Sequence, residues 1–242
     1  MLRRHRFFFA AVAAVVVLGM AGLGTYIYFF GGSAPGSASI DQAANVIASS
    51  DPSARASLTT IDGTWNVDKT IGSFSDYSST WAGFRVQEVL SNIGNNTAIG
   101  RTPNVSGTLA LNGQTLSAAH VEVDLTSLAS EQPMRDPAVQ RTLQTSTYPN
   151  ATFDLTSPIS LAQAPAEGIT YNVTASGNLT VHGVTKAVTA TIQAQLKDGV
   201  IVIVGSMPFT FSDFGMSAPH APVVLSVADN GTIEFQFFFS HS

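Results

Sequence analysis

Tyr171-Asn172-Val173-Thr174-Ala175-Ser176-Gly177-Asn178-Leu179-Thr180-Val181-His182, continued by Gly183-Val184-Thr185-Lys186, decides the fold of this chain. Tyr171, Val173, Ala175, Gly177, Leu179 and Val181 share one face of an extended backbone, and Asn172, Thr174, Ser176, Asn178, Thr180 and His182 share the other. Successive side chains of a strand point to opposite faces, so this alternation marks a half-buried antiparallel strand. A turn over 182–185 leads into Val188, Ala190, Ile192, Ala194 and Leu196, which alternate with Thr189, Thr191, Gln193 and Gln195. The two runs make a long β-hairpin.

Outward from the hairpin the same period continues. Lys197-Asp198-Gly199 turns the chain into a strand over 200–204, and the last strand alternates Ile233, Phe235, Phe237 and Phe239 with Glu234 and Gln236. Toward the N-terminus, strands are expected at 64–68, 80–88, 105–111, 120–125 and 152–155, about eight in all within a domain spanning 61–242. One short helix is expected after Asp136, with Asp136 as its cap and Pro137 in its first position. Long alternating strands with few helices form a barrel or a sandwich, and closure into a barrel removes exposed edges. Eight strands enclose an interior just wide enough to be filled by side chains or to hold one small ligand.

The N-terminus has a different character. Arg3, Arg4 and Arg6 precede an apolar run from Phe7 to Phe30 that contains no acid or base. As a helix rising about 1.5 Å per residue, the run spans roughly 36 Å, enough to cross a hydrocarbon core of about 30 Å. It exceeds the apolar region of a cleavable signal peptide, about 7 to 15 residues, although small residues follow at Ala34 to Ala38. Residues 1–30 are therefore expected to be an uncleaved transmembrane anchor. The flanking arginines hold the N-terminus in the cytoplasm, giving a single-pass protein of the cytoplasmic membrane with its domain outside. Residues 31–60, rich in Gly, Ser, Ala and Pro, are expected to be a flexible linker holding at most one short helix.

Composition and motif spacing exclude several chemistries. Only 11% of the 242 residues are charged and the net charge is −5; without clustered Lys and Arg in the domain there is nothing to release counterions from nucleic acid. The chain has no cysteine, so disulfides, thiolate zinc sites and redox pairs are all ruled out. His120, His182 and His220 show no metal-ligand spacing, no serine sits in a nucleophile elbow, and no Gly-rich phosphate loop occurs in the domain. The expectation is a non-catalytic protein without cofactor or metal. Asn-x-Ser/Thr sequons begin at Asn95, Asn104, Asn150, Asn172, Asn178 and Asn230 and are read as strand and turn composition.

Three ordered segments resemble the YceI-like family of exported lipid-binding proteins. The first is Thr64-Trp65-Asn66-Val67-Asp68 with Trp81-Ala82-Gly83-Phe84-Arg85-Val86-Gln87. The second is Arg135-Asp136 with Tyr148-Pro149-Asn150-Ala151-Thr152-Phe153, and the third is Gly177 to Lys186; Phe211-Ser212-Asp213-Phe214-Gly215 resembles a later strand end. The resemblance, over about 64–239, implies an extended, lipocalin-like antiparallel barrel in a bacterial envelope, whose apolar lumen accommodates a polyisoprenoid, an isoprenoid quinone or a fatty acyl chain. By this resemblance the lumen is lined by Trp65, Phe84, Val86, Leu109, Val123, Phe153, Leu179, Phe209, Phe211 and Phe235. Arg135, more than Arg85 or Lys186, is the expected contact for a lipid headgroup. Glu88 stands where the family usually carries His, which puts any contact through that histidine in doubt. The alternative from the residues alone is that the same apolar side chains fill a solid core, in an anchored barrel that docks on a membrane or respiratory protein partner.

Overall fold

The computed structural model describes residues 34–50, 58–91, 94–220 and 224–242. The expected anchor over 1–30 lies outside the described residues, among which no helix is long and apolar enough to cross a membrane. Within the unit Gly36–Ser242, the strands are β1 (Gly63–Val67), β2 (Trp81–Leu90), β3 (Gly94–Thr102), β4 (Val105–Asn112), β5 (Thr115–Asp124), β6 (Ala129–Ser130), β7 (Asn150–Leu155), β8 (Ile159–Ser160), β9 (Thr170–Val181), β10 (Val184–Lys197), β11 (Val200–Thr210) and β12 (Val224–His241). The helices are α1 (Ile40–Ser49) and α2 (Asp136–Leu143).

The predicted hairpin is β9–β10, paired without a break from Val181 opposite Val184 to Thr170 opposite Gln195. His182 and Gly183 turn it with φ of 53° and 72°, the two left-handed positions that a two-residue hairpin turn matching strand twist requires. Asp198 and Gly199, at 47° and 76°, repeat the device between β10 and β11. Antiparallel pairing continues through β1, β4, β5, β7, β9, β10, β11 and β12, and β12 closes back on β1. The expected eight-stranded barrel is thus closed.

β12 is long enough to hold two partners along one edge: β1 pairs with Phe239 to His241, and β2 pairs with Val224 to Gln236. β1 and β2 therefore share one strand position, and β3 and β4 run in the same direction on either side of Pro103-Asn104. The β2–β3 hairpin extends the wall past the end of β1. β3 was not expected, because Asn95, Asn96 and Thr97 lack apolar alternation; pairing along the whole of β2 overrides that weak local preference.

Two helical details depart from expectation. α2 begins at Asp136 rather than after it, and Asp136 Oδ1 accepts from the backbone N (2.8 Å) and Oγ (2.6 Å) of Ser130 instead of capping the helix. Phe211–Phe214 is a 3-10 turn ending at Gly215, with φ 66°, where a strand end was expected.

In the stretch expected to be a flexible linker, α1 instead packs on the outside of the barrel. Ile40, Ala43 and Ile47 recur at helical spacing and bury against Val200, Val202, Val204 and Phe238, the outward side chains of β11 and β12, together with Ile71. The many Gly, Ser and Pro residues around it obscured this short stripe, and its complement on β11 is legible only once the barrel is closed. Ile47→Val should lower stability by about 1 kcal/mol, the usual cost of one buried methyl group, read as a lower midpoint in denaturant. An unchanged midpoint would mean that α1 is not part of the folded unit.

Candidate functional site

The inward face of the barrel is the face that the hairpin period selected. Tyr171, Val173, Ala175 and Leu179 of β9 and Ala190, Ile192, Ala194 and Leu196 of β10 line one continuous cavity with a volume of about 160 Å³. Along β9 the lining runs from Tyr171 to Leu179, eight residue steps or roughly 26 Å of strand. Among the described residues lining the cavity there is no Asp, Glu, Lys, Arg or His, and the surface they present to it is apolar. Phe153, Val173, Ile192 and Ile233 point inward and yet remain only half-buried, as residues bordering a void do.

Two glycines help to keep the lumen open. Gly205 faces Phe235 across β11 and β12, and a Cβ on Gly205 would collide with the Phe235 ring; Gly177 receives the Phe153 ring in the same way. Both rings lie back against the wall because the neighbouring residue has no side chain. Phe235 also stacks on Phe237, with centroids 5.0 Å apart and planes 12° apart. At the β2–β3 end, Phe211, Phe214 and Met216 are buried in the core and the lining stops at Leu179, Met207 and Val123.

The other end is covered by the segment between β7 and β9, whose Ile159, Leu161 and Pro165 face the cavity. It is tied to the barrel by β8, which pairs with β5 through Ser160 opposite Thr115 and Ile159 opposite Leu116, by Glu167, which accepts from Asp198 N (2.8 Å), and by further hydrogen bonds. Leu161 N donates to Gln114 O (2.8 Å), Gly168 N to Leu196 O (2.8 Å), Tyr171 Oη to Ala164 O (2.9 Å), and Gln195 Nε2 to Gly168 O (3.0 Å). Most of this strap is exposed.

Of the ten residues expected to line the lumen, Leu109, Val123, Phe153, Leu179 and Phe235 do so. Trp65, Phe84, Val86, Phe209 and Phe211 belong to the same core but do not border the void. Trp65 is fully buried and donates from Nε1 to Ile61 O (3.1 Å). Phe84 lies over Gly100, Phe209 over Gly231, and Phe209 meets Phe211 edge-on at 5.3 Å. Periodicity tells inward from outward but not void from packed end, which depends on how far loops and turns reach in.

Arg135, the expected headgroup contact, is committed elsewhere. Its guanidinium pairs with Glu88 through Nη2 and with Glu131 through Nη1 (2.6 Å), and Asn96 Nδ2 donates to Glu88 (2.7 Å). Two carboxylates outweigh its single charge, and it does not line the cavity. Glu88, noted as a departure from the family pattern, is thus the internal partner of Arg135. Lys186 is exposed. Arg85 belongs to a buried cluster on the outward face of β12, centred on Glu234. Glu234 Oε1 accepts from Arg85 Nε (3.1 Å) and Ser37 Oγ (2.7 Å), while Oε2 faces Arg101 Nη2 at 3.6 Å. Arg101 stacks on Trp81, 3.7 Å from its ring centroid, and burial pushes its guanidinium below the ordinary arginine range while Glu234 opposes the shift. Among the described residues no group of His, Asp and Glu is arranged to hold a metal ion.

Fold and cavity define a closed antiparallel barrel with a hollow apolar lumen. The chain belongs to the YceI-like domain family, whose model matches residues 65–239. Its fold resembles a polyisoprenoid binding domain from Saccharophagus degradans implicated in plant cell wall breakdown, at 18% identity and a TM-score of 0.55 over 74% of this chain and 98% of that one. Burkholderia cenocepacia BcnA aligns at 21% identity, covering 65% of this chain and 95% of its own, with a TM-score of 0.49. The Campylobacter jejuni YceI protein aligns at 19% identity, covering 57% and 82%, with a TM-score of 0.45. No curated protein matches the chain.

Proposed function

We propose that this protein is a non-catalytic carrier of a long apolar lipid, a polyisoprenoid, an isoprenoid quinone or a fatty acyl chain, working at the outer face of the bacterial cytoplasmic membrane. The observation that carries the proposal is the cavity: a void of about 160 Å³ with no charged residue in its described lining, inside a barrel of the YceI-like family whose fold resembles that of a polyisoprenoid binding domain. A filled core, the alternative, would leave no such void. The apolar run from Phe7 to Phe30 supports a membrane anchor that keeps the barrel near its lipid source.

Energetics suit loading and release. Each five-carbon isoprene unit removed from water is worth roughly 3 to 4 kcal/mol at about 0.8 kcal/mol per carbon. A tail drawn from a bilayer is already out of water, so the net gain on transfer is small. The cavity is smaller than the usual ligand pocket of about 300–1,000 Å³, and a long tail takes its full room only with the strap displaced.

Native mass spectrometry of the full chain expressed with export in a bacterial host, followed by organic extraction, tests the proposal. A co-purifying isoprenoid or acyl lipid approaching one per chain is expected. Clean protein that also takes up no added polyprenyl or quinone lipid would overturn it.

A further inference from the structure

The barrel wall is not hydrogen-bonded over its full height where β7 and β8 run beside β9. β7 and β9 pair from Thr152 opposite Thr180 to Leu155 opposite Gly177, and the last bonds between these edges run from Thr156 N and Oγ1 to Ser176 O, both 3.0 Å. Past that point the chain on one side follows β5, through Ile159 opposite Leu116 and Ser160 opposite Thr115. On the other side β9 follows β10 as far as Thr170. Among the described residues no backbone hydrogen bond joins 157–161 to 170–175.

The sequence accounts for the gap. Continued in the same register, Pro158 would stand opposite Thr174, and proline has no N–H to give to a ladder. Ser176 O points toward β7, and alternate residues of a strand turn their backbone groups to the same edge, so the N–H and C=O of Asn172 and Thr174 face the gap. Ser157, Pro158, Asn172 and Thr174 are all exposed, where water satisfies such groups.

The gap leads into the lumen. Leu155, Ile159 and Leu161 on one edge and Tyr171, Val173 and Ala175 on the other all line the cavity. A lipid passing between them breaks no ladder, whereas passage between β9 and β10 would have to open an unbroken one, and the far end is closed by Phe211, Phe214 and Met216. The strap above the gap is held on one side through β8 and on the other through Gly168 N and Glu167, so it hinges with the edges as they part. Ile169, 43% exposed, precedes β9 at the strap end of the gap and offers an entering tail its first apolar contact. We infer that lipid enters and leaves the lumen sideways, through a seam between 157–161 and 170–175 that opens and closes while the rest of the wall stays paired. The inference rests on the lipid-carrier function proposed above and adds the path to it.

The test uses the full chain in nanodiscs, where the lack of native cysteine makes engineered thiols specific. Ser160→Cys with Asn172→Cys puts one thiol on each exposed edge, and a short bifunctional methanethiosulfonate bridges them until reductant removes it. Photoreactive hexadecanol with a diazirine at its chain end is added, and labelling of lumen residues such as Leu179 is followed over time by mass spectrometry. The bridge should slow labelling at least about tenfold, as locking a gate does, and reductant should restore the rate to within about twofold. A bridge between Ser176→Cys and Thr189→Cys, opposite each other on the paired β9 and β10, should leave the rate within about twofold because no gate lies there. Labelling of the seam-bridged protein at the unbridged rate, or thiols too far apart to be bridged, would overturn the path. Absence of lumen labelling in the unbridged protein would instead defeat the carrier function on which it rests.

Discussion

Glu234→Leu is expected to destabilise the barrel by about 3–5 kcal/mol, because it takes the carboxylate partner from Arg101 in a buried site. The Glu234 side chain is 6% exposed and that of Arg101 is 3% exposed, so neither charge has water to fall back on. Arg101 already has a buried Nε without a hydrogen-bond partner; its remaining support is Glu234, the Gly36 carbonyl at 2.7 Å and the rings of Trp81 and Tyr77. Ser37 loses its acceptor in the same substitution, so the cost spreads to the segment that leads into α1. Adding Arg101→Met should recover a large part of the loss, since an apolar replacement of a whole buried pair is often neutral. Chemical denaturation of the three proteins measures both effects. A single-variant loss under about 1 kcal/mol, the range of an exposed pair, would show that the cluster is solvated.

That cluster also shows where the sequence stops being legible. The hairpin β9–β10 could be read to the residue because each face of the strand is nearly pure in polarity and the turn is His-Gly, so local chemistry and global fold agree. The number of barrel strands and the inward set followed from the same period, which left barrel and sandwich open; closure into a barrel was implied by the family resemblance. By contrast, Arg85, Arg101 and Glu234 are far apart in sequence, and nothing local distinguishes them from solvated charges; their burial is produced by Gly36, Ser37, Tyr77 and Trp81 folding over the outside of the wall. The same holds for Arg135, whose neighbours Glu88 and Glu131 come from β2 and the loop before α2. In the lumen the period found the right face but not the depth. Phe209 and Phe211 point inward like Phe235, yet only Phe235 meets the void, because the Phe211–Phe214 turn plugs the end where they sit. Small residues carried the missing signal: Ala175, Gly177 and Ala190 lie on the inward face of the hairpin, where a solid core would favour larger side chains.

Ala175 and Ala190 sit directly opposite each other on β9 and β10, are 2% and 1% exposed and both line the cavity. Ala175→Phe is therefore expected to abolish lipid retention while leaving the fold intact. In a packed core, adding a phenyl ring at so buried a position forces neighbours off their rotamers and costs about 1–3 kcal/mol or more. In a hollow one the ring enters existing space, gains apolar contacts, and leaves stability unchanged or raised by about 0.5–2 kcal/mol. The two measurements must move apart: denaturant midpoint held or increased, and lipid recovered on extraction reduced at least about tenfold, the equivalent of about 1.4 kcal/mol of lost binding. Lumen filling thus separates a carrier from a solid structural barrel, because in the latter the same substitution destabilises the protein and there is no lipid to lose. Loss of stability together with unchanged lipid content would place any bound lipid outside the barrel and remove the cavity from the mechanism.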